Sequence, residues 1–245
     1  MSEGQAYFLG MCLLRFLRVV VLLSVWRVIL AGRGVTSGMT VDAVLTYTLI
    51  AEVFRDQLDC RTNLEGALWE GSIVTRYLRP MGVFAQFAAE MFGGWGVNLC
   101  LFAAPLLLLS PLLGVNALPV DGRAAAGFAL SLGLAVSVGL ALEFIFTALM
   151  VYVEHSVYAM NQIRNAVSVL LSGAILPLAL LPWGIGEILG WLPFASMASA
   201  PLRIYTGTGD AVRLIALQAG WSAVLWPAVF WLWRVNRERL VSHGG

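Results

Sequence analysis

Four stretches of this chain contain no charged residue at all: Met91–Val120 over 30 residues, Ala124–Leu142 over 19, Asn165–Gly186 over 22 and Leu214–Trp233 over 20. About 20 apolar residues in a helix, rising about 1.5 Å each, cross the hydrocarbon core of a bilayer. In lipid every backbone N–H and C=O must be satisfied within the segment, which leaves helices or closed barrels. These runs are too long and too uniformly apolar for barrel strands, which alternate apolar with polar. With 60% hydrophobic residues, 12% charged and a mean hydropathy of +0.84, little is left for a water-soluble domain. The expected fold is an all-α membrane protein, one transmembrane domain over 1–245.

Six spans are expected, at about 13–31, 40–58, 91–113, 124–150, 165–183 and 212–233. Pro105 and Pro111 should end or kink the third. The first is interrupted by Arg15, Arg18 and Arg27, and the second carries Glu52, Arg55 and Asp56. An arginine at mid-bilayer costs about 2.5–3.5 kcal/mol on insertion scales. Arg18 and Arg27 lie near the ends of their span and are expected to snorkel. Six spans put both termini on one side. Placing them in the cytoplasm assigns nine arginines inside (15, 18, 61, 76, 79, 164, 234, 237 and 239) and four outside (33, 123, 203 and 213). That bias follows the positive-inside rule.

The net charge of +1 argues against a nucleic-acid partner, which requires a concentrated basic face. All 15 basic residues are arginine. Cys12, Cys60 and Cys100 have no disulfide or metal-site spacing and read as small apolar residues. The first apolar stretch lacks a cleavage motif and is expected to stay as the first anchor.

From Gly127 to Leu142 small and large residues alternate. On a helix the small ones form two ridges, 127/131/135/139 and 129/133/137/141, on roughly opposite faces. Small-xxx-small ridges permit close backbone approach, so this helix should be sandwiched inside the bundle with Gly127, Gly133 and Gly139 at contacts. The alternative is a lipid-facing helix merely diluted by small residues. Glu143 is the one deeply embedded acid. Intramembrane acids mark functional sites by default, but a plain interior partner such as Arg164 or a tyrosine hydroxyl also satisfies it.

Between the last two spans, residues 184–208 contain GWLPFASMASAPLRIYTG, charge-free from Ile188 to Leu202 yet broken by two prolines. Each unpaired backbone group here would cost several kcal/mol in lipid. Its backbone therefore needs protein or a watery cavity around it, or the segment is an amphipathic loop on the membrane surface. The sizeable polar stretch is the link at 60–88 between spans two and three. Within it Asn63–Pro80 predicts a short amphipathic helix capped by Asn63 and ended by Pro80. Leu64, Leu68, Trp69, Ile73, Val74, Tyr77 and Leu78 form one face; Glu65, Glu70, Arg76 and Arg79 stay wet. Gly66 and Gly71 weaken it, so a bent or two-piece form is allowed. Such a helix either lies on the interface or docks in a groove of a cytoplasmic protein.

No catalytic constellation is present: no phosphate loop, nucleophile elbow or metal motif. Glu154–His155 reads as an interfacial polar pair, and His243 sits in the tail.

The run W-x-x-x-x-A-G at Trp26–Gly32, the TYTLIAEV of the second span, GSIVTRYLRP at 71–80 and PFASMASAPLRIYTG at 193–207 together resemble the membrane subunit of a bacterial ABC-2 type transporter, whose ATPase is a separate chain. The resemblance covers essentially the whole chain. It implies that the link between spans two and three is a coupling helix seated in a cleft of a nucleotide-binding subunit, a role carried to Glu65, Trp69, Glu70, Gly71, Arg76, Arg79 and Pro80. It implies re-entrant outer helices between spans five and six, and so a gate at Pro193, Phe194, Ser196, Met197, Pro201, Arg203 and Tyr205. It also implies a second permease subunit, identical or different, a bacterial inner membrane with its lipids, no cofactor in this chain, and ATP and Mg²⁺ on the partner. The amphipathic helix expected before span one is short here, Tyr7–Arg18 at most.

The leading expectation is thus the permease of an ATP-driven exporter of a hydrophobic or amphipathic compound such as a drug, lipid, peptide or natural product. The alternative is a secondary transporter or channel that works without an ATPase. It would need more buried acids or histidines than Glu143, and no internal repeat supports it.

Overall fold

The computed structural model describes residues 3–32, 35–36, 38–150 and 157–242. Arg33, Glu154, His155 and His243 lie outside the described residues, as do the side chains of Trp69, Arg237 and Arg239. Among the described residues the regular structure is helical apart from one short hairpin, in which β1 (Val35–Thr36) pairs antiparallel with β2 (Met39–Thr40).

Helix α1 (Glu3–Ile29) runs unbroken, so among the described residues Tyr7–Arg18 and the expected first span are parts of one helix. Thr40 then caps α2 (Val41–Val53), accepting from the Ala43 N–H at 3.2 Å. The expected second span is bent: Phe54 interrupts it and α3 (Arg55–Asp59) follows. Every residue from Val44 to Val53 is buried, so protein surrounds this helix. Arg15 and Arg18 of α1 are matched to acids of α3 and α2, so Arg18 does not simply snorkel. Arg18 meets Glu52 at 3.2 Å, and Arg15 meets Asp56 at 3.4 Å. Asp56 also accepts from the Asn98 amide, and Arg27 donates to the Leu113 carbonyl beyond the third span.

After the link come α4 (Leu64–Trp69) and α5 (Ile73–Tyr77), then α6 (Val83–Asn98). A π-helical turn at Leu99–Ala103 joins α6 to α7 (Ala104–Leu109). Pro105 has no N–H to give, and this wide turn absorbs it without ending the helix. The helix therefore starts before 91 and ends at Leu109, while Pro111 falls in the following turn.

Helix α8 (Gly122–Met150) is the centre of the molecule. It is followed by α9 (Val157–Ser172), which is the main departure from expectation over 165–183. Gly173 takes φ +75°, and Pro177 and Pro182 follow, so the helix stops at Ser172 and the chain continues through a 3₁₀ turn at Leu178–Leu180. Three short helices come next, α10 (Ile185–Gly190), α11 (Pro193–Met197) and α12 (Ser199–Tyr205), and α13 (Ala211–Ser242) closes the fold.

Around α8 pack α3, α4, α9, α11, α12 and α13. One small-residue ridge is enclosed along most of its length; the other is enclosed only at its C-terminal end, where Ala141 is buried and Ser137 meets Ser222 at 2.6 Å. Ser131, Ala135 and Gly139 are buried, whereas Ala129 and Gly133 of the other ridge are exposed in the single chain. A Cβ at Gly127 would sit 3.1 Å from Ile204, but at Gly133 it would meet nothing.

Among the described residues three helices are long and apolar enough to cross a membrane: Val83–Leu109, Gly122–Met150 and Ala211–Asn236. Their outer faces carry bare apolar side chains, among them Leu101, Leu108, Val224, Phe230 and Trp231. A continuous apolar surface of this kind is stable against lipid and not against water.

Candidate functional site

Two regions of the chain hold the residues singled out from the sequence, and a buried acid joins one of them to the bundle. The first region begins where Cys60 ends α3 in the left-handed conformation, φ +42°. The Cys60 thiol is fully buried, and desolvation pushes its pKa up, so it stays protonated. Asn63 holds the cap position of α4, but its side chain caps nothing. The Leu64 N–H instead reaches the Thr62 hydroxyl at 3.4 Å. The Asn63 amide lies over Gly66, where a Cβ would come within 2.6 Å of Oδ1.

The helix expected over 63–80 is in two pieces. Gly71, at φ +71°, separates α4 from α5, a conformation that any side chain would strain. Leu64, Ala67 and Ile73 are buried in the cluster that holds Phe87, Leu140 and Phe144. Leu78 departs from the expected apolar face and is 83% exposed. Arg76, expected to stay in water, is an anchor: it pairs with Glu90, and its guanidinium lies 4.6 Å over the Phe87 ring. Its carbonyl accepts from Gln86 Nε2 at 2.9 Å, and the same amide donates to Met81 O at 2.7 Å. Glu65 and Gly71 are half-buried, while Glu70, Arg79 and Pro80 are exposed with Leu78 and Met81. Behind them an open groove of about 470 Å³ is lined by Arg76, Tyr77, Arg79, Phe84 and Trp233.

The second region is the broken segment. Protein wraps it: Ala195 to Leu202 are all buried. Pro193 starts α11 at its first position, where a missing N–H costs nothing. Phe194 faces Phe146 at 6.3 Å between ring centres. Met197 joins the cluster around α8, and Pro201 is buried within α12. Ser196 offers its carbonyl to Gln218 Nε2 at 2.8 Å. Gln218 is completely buried and also bridges Ser131, accepting its hydroxyl at 2.8 Å and donating to its carbonyl at 3.0 Å. Tyr47 donates to the Gly173 carbonyl at 2.7 Å, which satisfies the backbone at the point where α9 breaks. Tyr205 donates to the Ala117 carbonyl and lies edge-on to Phe128 at 4.9 Å. Arg203 is half-buried with its Nη2 near the Thr208 carbonyl at 3.4 Å. Beside this region Thr40, Asp42, Thr46, Asn116, Tyr205 and Thr206 line a polar cavity of about 480 Å³.

Glu143 connects the first region to the bundle. Its side chain is 1% exposed and ion-pairs with Arg164 of α9. Its other oxygen accepts from both the N–H and the hydroxyl of Thr62, at 3.2 and 3.0 Å. Arg164 was one of the partners open to it from the sequence; Thr62, Gln218 and Tyr47 carried no expectation. A lone glutamine in an otherwise apolar run was a readable signal for Gln218, since an amide there must find partners inside the protein.

No curated protein and no solved structure matches this chain. The sequence profile described as ABC-2 family transporter protein matches residues 16–244, nearly the full length. The chain therefore belongs to the ABC-2 transporter family, whose members are the membrane subunits of transport systems.

Proposed function

We propose that this chain is the permease subunit of an ATP-driven exporter, powered by a separate nucleotide-binding subunit that carries ATP and Mg²⁺. Family membership over 16–244, together with the two-piece link, carries this reading. Its buried face of Leu64, Ala67 and Ile73 is seated on the bundle, while Glu70, Leu78, Arg79, Pro80 and Met81 point away from it. An element held on one side and bare on the other suits the cleft of a soluble partner. Both termini and the link are cytoplasmic, the membrane is the bacterial inner membrane, and residues 184–208 form the outer gate. Six spans are read by adding α1, α2–α3 and α9 to the three long helices. Two permease subunits pair to form the path.

ATP binding closes the ATPase dimer and moves the link, and two arrangements of the bundle exchange. The partner supplies the free energy; this chain supplies path and lever. The aromatic content, nine Trp and twelve Phe, suits a hydrophobic or amphipathic cargo.

The test is purification from native membranes followed by ATPase assay in lipid. A stoichiometric soluble ATPase should accompany the chain. Glu70→Arg should abolish cargo-stimulated hydrolysis while the protein stays in the membrane. Full transport by Glu70→Arg would remove the coupling assignment, and transport with no ATPase bound would remove the whole reading.

A further inference from the structure

We propose that Thr62, Glu143 and Arg164 form a latch that makes the intracellular lever and helices α8 and α9 move as one body; this rests on the permease reading above.

Between α3 and α4 the chain has no helical continuity. Cys60 is in a left-handed turn, and residues 61–63 belong to no helix. A push delivered to α4 would be absorbed at this joint unless something spans it. The apolar contacts of Leu64 and Ala67 hold α4 against the bundle, but such contacts are non-directional and tolerate sliding. A buried carboxylate does not. One oxygen of Glu143 takes two hydrogen bonds from Thr62, the residue just before the Asn63 cap position of α4. The other oxygen is held by Arg164, whose side chain is 8% exposed. The ion pair fixes the carboxylate between α8 and α9, so any displacement of Thr62 must take both helices with it or leave a buried carboxylate oxygen without its two hydrogen bonds.

A second contact fixes the register. One helical turn from Glu143 on the same face of α8, Gly139 lets Cys60 approach so closely that a Cβ would lie 2.7 Å from the Cys60 Cβ. Residues 60 and 62 thus meet residues 139 and 143. The root of the lever is keyed to α8 at two points, and only one of them is charged.

The experiment uses the whole complex with its ATPase subunit in nanodiscs, with Cys12, Cys60 and Cys100 replaced by serine. A single reporter cysteine goes at Leu118, which is 72% exposed in the turn before α8, beyond its opposite end from Glu143. The readout is its rate of reaction with a charged maleimide, with and without ATP and vanadate. In the parent the nucleotide should change that rate several-fold. In Thr62→Val and Glu143→Gln the ATPase should still bind and hydrolyse ATP within about twofold of the parent rate, while the nucleotide-dependent change disappears.

The exchanged pair Glu143→Arg with Arg164→Glu separates this role from a merely structural one. It restores the ion pair, and hence folding, but an arginine at 143 can only donate, so the Thr62 N–H loses its acceptor and the change should not return to the parent's size. Retention of the full nucleotide effect in Thr62→Val, or its recovery in the exchanged pair, would overturn the latch. Failure of the parent to bind any ATPase overturns the permease reading, and the latch with it.

Discussion

Replacing Gly139 with alanine probes the keying of α8 against the link. A Cβ there would lie 2.7 Å from the Cys60 Cβ, 2.8 Å from its Sγ and 3.4 Å from the Met197 Cε. Carbon atoms pack favourably at about 3.5–4.0 Å, so close to an ångström of overlap must be relieved. The atom in the way is a Cβ, tied directly to the backbone of a turn already at φ +42°. It cannot rotate aside as a side-chain tip could. Overpacking of this kind costs about 1–3 kcal/mol. Alanine regains about 0.5–1 kcal/mol of helix preference over glycine, which leaves a net loss of up to about 2.5 kcal/mol. Gly133→Ala is the internal control: it stands on the same helix with open space at its Cβ and should gain the preference without the clash. The assay is reversible unfolding in detergent mixed micelles. Cys60→Gly in the Gly139→Ala background removes the obstructing atoms and relaxes the left-handed backbone, so the double variant should recover most of the loss. Residues in contact couple by about 0.5–3 kcal/mol in such cycles. The reasoning fails if Gly139→Ala is as benign as Gly133→Ala, or if the two substitutions at 139 and 60 are simply additive.

Further outcomes follow from other contacts. Gln218→Leu keeps volume but leaves the Ser131 hydroxyl and Ser196 carbonyl unpaired, and should lower unfolding stability by about 1–3 kcal/mol. Gly173→Ala places a Cβ 2.9 Å from the Leu178 Cγ at φ +75°, and should cost at least about 1–3 kcal/mol in the same assay. Arg76→Met should barely move global stability, because Glu90 is 49% exposed, but should speed proteolysis within 70–82 by freeing α5 from Phe87. Cys60 should resist N-ethylmaleimide at pH 8 until the protein is denatured, because burial keeps the thiol protonated; fast native-state labelling would contradict the buried turn.

The long helices were readable because lipid demands length and apolarity together, and Ala124–Leu142 and Leu214–Trp233 satisfy both without interruption. The break at 190–207 was readable from Pro193 and Pro201, and its need for surrounding protein from the cost of bare backbone. The end of α9 was harder to see. Gly173 lies inside a 22-residue charge-free run, and composition does not record that Tyr47, far away in sequence, supplies the hydrogen bond that stabilises the break. Pro105 was read as ending or kinking the helix, and a local rule cannot tell that a π turn carries the helix past it. Arg18 looked like a snorkelling charge because its partner, Glu52, sits on another helix. Arg76 looked like a solvated charge for the same reason, with Glu90 and Phe87 out of view. Periodicity gave the two small ridges of α8 equal weight, and only tertiary packing shows that Ala129 and Gly133 of the second are left open while Ala141 is covered. Pairings distant in sequence are the common thread in what was missed.

The most direct test of the lever is photocrosslinking from its bare tip in intact membranes. A benzophenone amino acid in place of Leu78 should give one major covalent adduct, and peptide sequencing should place it in a nucleotide-binding subunit. The same probe at lipid-facing Leu108 should give none to that subunit. Adducts from position 78 to lipid alone, or labelling of that position from the outer side of the cell, would contradict the account.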